Sequence, residues 1–296
     1  MPNCAFLTIA DTEGWFIDDD LVHEPLQKLG WKVENVSWDS PVLWDDFDLV
    51  VIRSPWDYQK HLHRFMEVLN TIEKSNAILL NSLELVQWNL NKNYLFELET
   101  KGVELVPTLK HASPKPSDIE NAFNRFQTEA LIVKPIIGAN ADDTFLLTRE
   151  ELTDSSVKGD LLEITTIFQE RECLIQPFMQ NIVDEGEFSL MYFQGELSHV
   201  VLKTAAAGDY RIQEEHGGGV TTIEKPEPAL IDSANKVMSA LSETPLYARV
   251  DLVRTRQNSF ALMEFELIEP CLYFKFSKDA PRNFANCIDR YKPANS

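Results

Sequence analysis

A chain of 296 residues has room for two or three domains, and its 44% hydrophobic and 25% charged residues fit a globular protein rather than a disordered one. Twenty-seven basic residues against 47 acidic ones leave a net charge of −20. That field repels nucleic-acid backbones and anionic membrane surfaces, so neither is an expected partner, and an anionic substrate needs its own local cations.

Cys4, Cys173, Cys271 and Cys287 have neither C-x-x-C nor zinc-type spacing and read as reduced thiols of a cytoplasmic protein. The apolar run over 5–10 stops at Asp11 with no basic segment before it, so no signal peptide is expected. No stretch approaches the ~18 apolar residues of a membrane-spanning helix. Monomer and oligomer both stay open.

In chain order, residues 5–10 read as a buried strand and 21–29 as a helix stopped by Gly30. Residues 31–38 alternate apolar and polar side chains, 47–52 form a β-branched run, 60–74 carry a helical stripe, and 77–80 are another strand. This alternation predicts an open, mostly parallel α/β sheet, with ligands beyond the C-terminal ends of its strands. Arg53 stands directly after the 47–52 strand, and arginine suits bidentate recognition of a carboxylate. It is a candidate for holding an amino-acid-like substrate; the plainer reading pairs it with Asp57 in its own loop.

Residues 91–101 read as a short helix before Gly102, 113–117 as a proline-containing loop, and 131–133 as a strand leading into Lys134-Pro135. A helix over 161–169 and a strand over 173–178 complete a small α+β unit. The remainder looks antiparallel. Strands over 188–193 and 197–202 flank the turn Gln194-Gly195. A helix over 229–241, strands over 247–253 and 260–267, and a closing helix over 284–291 follow. The expected parts are therefore 1–90, 91–178 and 179–296.

The segment 246–270 is the most informative. Side chains of a strand alternate faces, so Arg249 and Asp251 share one face, and Glu264 and Glu266 share a face of the next strand. A turn of about four residues sets Asp251 opposite Glu264 and Arg249 opposite Glu266. Like charges facing each other destabilise a strand pair, and a divalent cation reverses that sign. Oxygen ligands suit Mg²⁺, or Mn²⁺ in its place, and Mg²⁺ often combines one or two carboxylates with substrate phosphates. The alternative is a solvated polar face with Arg249–Glu266 as a surface ion pair.

Lys134 at a strand end suits a phosphate, against the reading of an ordinary strand-end lysine. Lys92 opens a helix, where the dipole disfavours a cation, which hints at an anionic ligand. No P-loop and no G-x-G-x-x-G is present. Gly217, Gly218 and Gly219 permit either close backbone approach to a ligand or a flexible surface loop.

Taken in order, these pieces resemble the ATP-grasp superfamily and its prokaryotic glutathione synthetase-like branch over roughly residues 80–270. Asn-Leu-Asn-Lys92 and Leu-Ile-Val-Lys134-Pro resemble the family's two lysine segments, and Leu-Ile-Gln176-Pro-Phe178 resembles the hinge strand that contacts adenine. Gly-Glu187-Phe-Ser matches the acid that holds the ribose. Gly-Asp209-Tyr-Arg211 followed by Gly218 resembles the substrate-side arginine strand and loop. Arg249-Val-Asp251 and Met-Glu264-Phe-Glu266 resemble the metal-binding hairpin. The segments over 53–58 and 264–270 look like the subgroup that contains the D-cycloserine-forming cyclo-ligase. The chain departs from the family in having Glu266 where Asn is usual and only Gly138 in the loop after Lys134-Pro135.

The resemblance implies an α/β fold, α+β in parts: an N-terminal open-sheet domain and two α+β lobes enclosing the nucleotide. It implies a carboxylate–amine ligase that uses ATP and Mg²⁺ to form an amide through an acyl phosphate, by joining two molecules or closing one. Asp251, Glu264 and Glu266 would hold the metal, and Lys92 and Lys134 the phosphates. Gln176, Phe178 and Glu187 would hold the nucleoside. Arg249 and Arg211 would stabilise the transferred phosphoryl, and Arg53, Lys203, Asp209 and Gly218 would meet the substrate. A nucleotide-binding protein without ligase activity and a small-molecule phosphotransferase are the alternatives.

Overall fold

The computed structural model describes residues 1–138, 141–153, 159–206 and 217–293. The chain forms two compact units, Met1–Leu90 with Asn181–Ser296, and Asn91–Gln180. The first and third of the three expected parts meet in one unit because they share a core. Phe6, Val51, Met191, Phe193, Tyr247 and Phe284 belong to a single cluster of buried side chains.

In the first unit, β1 (Asn3–Thr8), β2 (Lys32–Ser37), β3 (Leu49–Ser54) and β4 (Ile78–Leu80) form a parallel sheet in the order β2-β1-β3-β4. All six residues of β3 are buried, as a strand covered on both faces requires. Val50 and Ile52 join Phe65, Leu69 and Ile72, which line one face of the helix Leu62–Glu73. Leu49 and Val51 point the other way, into the shared core. The strand runs two residues further than predicted, so Arg53 lies inside the sheet, on the Leu49–Val51 side.

The second unit contains β5 (Leu109–Ala112), β6 (Ala130–Pro135), β7 (Phe145–Thr148) and β8 (Glu172–Pro177), antiparallel in the order β5-β8-β6-β7. The helix Pro116–Phe126 buries Ile119, Ala122 and Phe123 against Leu131, Val133 and Ile175. The proline-containing stretch was expected to be a loop throughout. Pro116 instead opens this helix, where its missing N–H has no helical partner to lose.

The first unit is completed by β9 (Glu187–Phe193), β10 (Glu196–Thr204), β11 (Gly219–Thr222), β12 (Tyr247–Arg254) and β13 (Phe260–Glu266), in the antiparallel order β11-β10-β9-β12-β13. Gln194 and Gly195 both take positive φ, 47° and 82°, the geometry a two-residue hairpin needs. Two buried asparagines tie this sheet to the N-terminal segment. Asn81 donates to the carbonyls of Tyr247 and Leu267 at 2.9 and 2.8 Å and accepts from the Leu246 amide. Asn89 donates to the Phe265 carbonyl and accepts from the Leu267 amide.

Candidate active site

One face of the five-stranded sheet changes character along its length. Met191, Phe193, Val201 and Tyr247 pack into the shared core. Two-residue alternation carries the same face on to Glu187, Ser189, Lys203, Arg249 and Asp251. The register sets Lys203 opposite Glu187, Ser189 opposite Asp251, Asp251 opposite Glu264 and Arg249 opposite Glu266. The last two pairs are those expected from the sequence, and a register shift follows at Asp251/Leu252. Gly186, at φ +126°, lets β10 come close: a Cβ there would stand 2.5 Å from the Lys203 carbonyl oxygen.

These side chains form a buried ionic network. Lys203 Nζ lies 2.5 Å from Glu187 Oε1 and 3.6 Å from Asp251 Oδ1. Arg249 donates from Nε and a terminal nitrogen to Asp251, and also reaches Glu266; the Ser189 hydroxyl donates to Asp251. Burial alone would raise the Asp251 carboxyl, but Arg249 and Lys203 outweigh it and hold the group below its ordinary value. Glu187 goes the other way: burial raises it more than Lys203 lowers it. Glu266 is pushed up to about 8 by burial, with Asp251, Glu264 and Glu269 adding repulsion that Arg249 only partly offsets.

Two of the three acids expected to converge on a metal, Asp251 and Glu266, are therefore bonded to Arg249. Among the described residues, no group of three potential ligands is arranged to hold a metal ion. Arg249 bridges Asp251, on its own strand, and Glu266, its neighbour on the next. The charge and donor types still suit a hard cation. Five carboxylic acids (Glu187, Asp251, Glu264, Glu266 and Glu269) lie around two cations, Lys203 and Arg249, so acidic oxygen donors outnumber bases on this face.

A strap of backbone runs beside the network, and its successive carbonyls, residues 268–272, are each met by a side chain. The Tyr247 hydroxyl lies 2.7 Å from the Ile268 oxygen and 2.6 Å from that of Ile52, with one proton to share between them. Trp56 Nε1 donates to Glu269, Arg53 to Pro270 and Arg249 to Cys271. His199 Nε2 stands 3.0 Å from the Leu272 oxygen, so that nitrogen carries the proton, and Nδ1 faces the Ser198 hydroxyl.

Burial lowers the His199 pKa to about 4 despite its carbonyl bonds. The unfolded chain binds that proton near 6.5. Its contribution is therefore intact above about pH 6.5 and is lost as pH falls toward 4. This group should cost about 2 kcal/mol of stability between about pH 7.5 and pH 5. His199→Gln, which keeps a donor, is expected to remove that part of the pH dependence in urea unfolding. Identical pH dependence in both proteins would contradict it.

Arg53 is 1% exposed. It donates to Asp19 Oδ1 and the Pro270 carbonyl, both at 2.9 Å, and its guanidinium lies 4.8 Å from the Tyr247 ring centroid. The expected alternative partner, Asp57, instead accepts from Trp38 Nε1. A cavity of about 190 Å³ opens here, lined among others by Thr8, Trp15, Asp19, Asp20, Arg53 and Ser54. It sits beyond the ends of β1 and β3, where an open α/β sheet places ligands.

In the second unit, Lys92 is buried before the helix Tyr94–Thr100 and donates from Nζ to the Gly138 carbonyl at 2.7 Å. Its amide donates to Ile136. Both bonds join the first lysine segment to the turn that follows Lys134-Pro135. Lys134 is half-buried on β6, opposite Leu174. Gln176 is buried on β8 and donates to the Thr108 hydroxyl, while the Phe178 amide donates to Ala130. Gly218, in the first unit, directly precedes β11. Asp209 and Arg211 lie outside the described residues.

Comparison with known proteins decides the fold family. Residues 4–81 match the family described as D-cycloserine synthetase DcsG, N-terminal domain. The cycloserine biosynthesis protein DcsG of Streptomyces lavendulae is 27% identical across 96% of this chain and 98% of its own length. The crystal structure of D-cycloserine synthetase DcsG superposes with a TM-score of 0.84 at 24% identity, covering 98% of this chain and 100% of that one. D-alanine–D-alanine ligase from Bacillus anthracis gives 0.68 at 14% identity, covering 98% and 97%. The RimK domain protein ATP-grasp from Sphaerobacter thermophilus gives 0.69 at 13% identity, covering 98% of each chain. The chain has the ATP-grasp fold.

Within the ATP-grasp fold, the sequence reading identified the acids and cations but missed several residues that hold them. Ser189 bonds Asp251, Asp19 neutralises Arg53, and His199, Trp56 and Tyr247 fix the strap. Parity on β9 was the available signal for Ser189, two residues after Glu187. Asp19 and Trp56 reach their partners across large sequence separations, and no local pattern announces them.

Proposed function

We propose that this protein is an ATP- and Mg²⁺-dependent carboxylate–amine ligase acting on a small amino-acid-like substrate. The observation that carries the reading is the buried ionic network on an ATP-grasp sheet, with Arg249 fixed between Asp251 and Glu266. Asp251, Glu264 and Glu266 would hold Mg²⁺, which when bound supplies charge neutralisation to the phosphates. The substrate carboxylate attacks the γ-phosphorus of ATP, giving an acyl phosphate and ADP; an amine then displaces phosphate. Arg249, bonded to Asp251, would meet the charge of the transferred phosphoryl group, and Lys203 would keep Glu187 and Asp251 in position. The role of Glu187 toward ribose stays part of this proposal, as do those of Gln176 and Phe178 toward adenine and of Asp209, Arg211 and Gly218 toward substrate.

The cavity beside Arg53 would take the amino-acid end of the substrate. Its hydroxyls and two aspartates suit an ammonium, while Arg53, already bonded to Asp19 and Pro270, shapes the cavity wall. Similarity to a cycloserine biosynthesis protein extends the proposal to intramolecular closure, with the amine and carboxylate on one molecule. Unpaired cysteines support a cytoplasmic enzyme, and among the described residues no helix is long and apolar enough to cross a membrane.

The test is ADP release over a panel of amino acids and derivatives, with mass spectrometry of the products. Substrate-stimulated ADP release with an amide product is expected; a stable phosphorylated product would favour a phosphotransferase. In the same assay system, Lys134→Ala is expected to weaken ATP binding roughly tenfold to a hundredfold, the loss of one charge-assisted contact. Unchanged ATP affinity by calorimetry in the folded variant would remove Lys134 from the phosphate site.

A further inference from the structure

Tyr273 ends the strap. It is 8% exposed and takes φ +50°, a conformation that costs energy for any residue with a side chain. The five carbonyls before it are each met by a side chain, and these come from β12, β10, β3 and the segment after β3. Backbone held from that many elements leaves Tyr273 little freedom. Its ring centroid lies 6.0 Å from the Arg249 guanidinium carbon, and Phe276 packs 6.0 Å away. Its charged neighbours are Lys203, Arg249 and Asp251, the centre of the ionic network. Among the described residues, the phenol donates no hydrogen bond.

We propose that Tyr273 is a catalytic residue, its hydroxyl donating a hydrogen bond to the carbonyl oxygen of the activated acyl group while the amine attacks. This rests on the ligase reading. The amine lone pair forms the C–N bond as the carbonyl π electrons move onto oxygen, where the phenol meets the growing charge. Collapse restores C=O and breaks the C–O bond to phosphate, which leaves with the electron pair and takes the proton lost by nitrogen. The phenol keeps its own proton throughout. Burial raises its pKa and so keeps it a donor, although Lys203 opposes the shift. One donor of this kind contributes about a hundredfold or more in rate when it faces the developing charge.

Tyr273→Phe removes the hydroxyl and leaves the ring. Wild type and variant would be assayed with MgATP, a panel of D- and L-amino acids as the carboxylate, and hydroxylamine as the amine. ADP and hydroxamate are read separately. The expected result is a first-turnover ADP burst equal to wild type, hydroxamate formation slowed about a hundredfold, and an unchanged melting temperature. Equal hydroxamate rates in the two proteins overturn the assignment. A parallel loss of the ADP burst and of melting temperature makes Tyr273 structural, which also overturns it. If wild type forms no hydroxamate or amide at all, the ligase reading fails, and this assignment falls with it.

Discussion

Arg53→Ala is expected to destabilise the protein by about 3–5 kcal/mol, the usual cost of breaking a buried ion pair from one side. The substitution strands Asp19, which is 5% exposed, and leaves the Pro270 carbonyl without its donor. It also removes the cation stacked over Tyr247. Asp19→Asn added to Arg53→Ala should recover part of the loss, because the stranded charge is then gone. Urea unfolding of the three proteins measures both effects. A loss below about 1 kcal/mol would mean that Arg53 is not the buried anchor described here.

Asp251→Asn should leave the protein folded and lower ligase turnover about a hundred- to a thousandfold. The amide keeps the shape of the carboxylate and can still accept from Ser189. It cannot hold Arg249 through two charge-assisted bonds, and it withdraws one of the acids offered to Mg²⁺. Turnover within about threefold of wild type, at limiting Mg²⁺, would make this face a structural ion network only.

The pairing of Asp251 with Glu264 and Arg249 with Glu266 in β12–β13 was anticipated from sequence, but the register beside the turn, Arg254 opposite Phe260, differs by one residue, and the shift at Asp251/Leu252 supplies the expected pairs. The Gln194-Gly195 turn was legible for a local reason. Arg53 was not. Two more residues of strand separate a loop-end cation from a buried one, and its partners are 34 and 217 residues away. The acids were read as a metal set because parity gives the face of a side chain and not its partner. That Arg249 would turn back along its own strand to Asp251 is a matter of rotamer and burial. The helix Pro116–Phe126 was missed because prolines signal a loop and a helix start equally well.

The ligase proposed here activates a carboxylate as an acyl phosphate. Its most direct test is isotope transfer from a substrate labelled with ¹⁸O in both carboxylate oxygens. Attack of that carboxylate on ATP, followed by amine displacement, moves one ¹⁸O into inorganic phosphate at each turnover and leaves the other in the amide. Phosphate released unlabelled, with ADP formed at the same rate, would mean that water and not the substrate carboxylate receives the phosphoryl group, and would contradict the account.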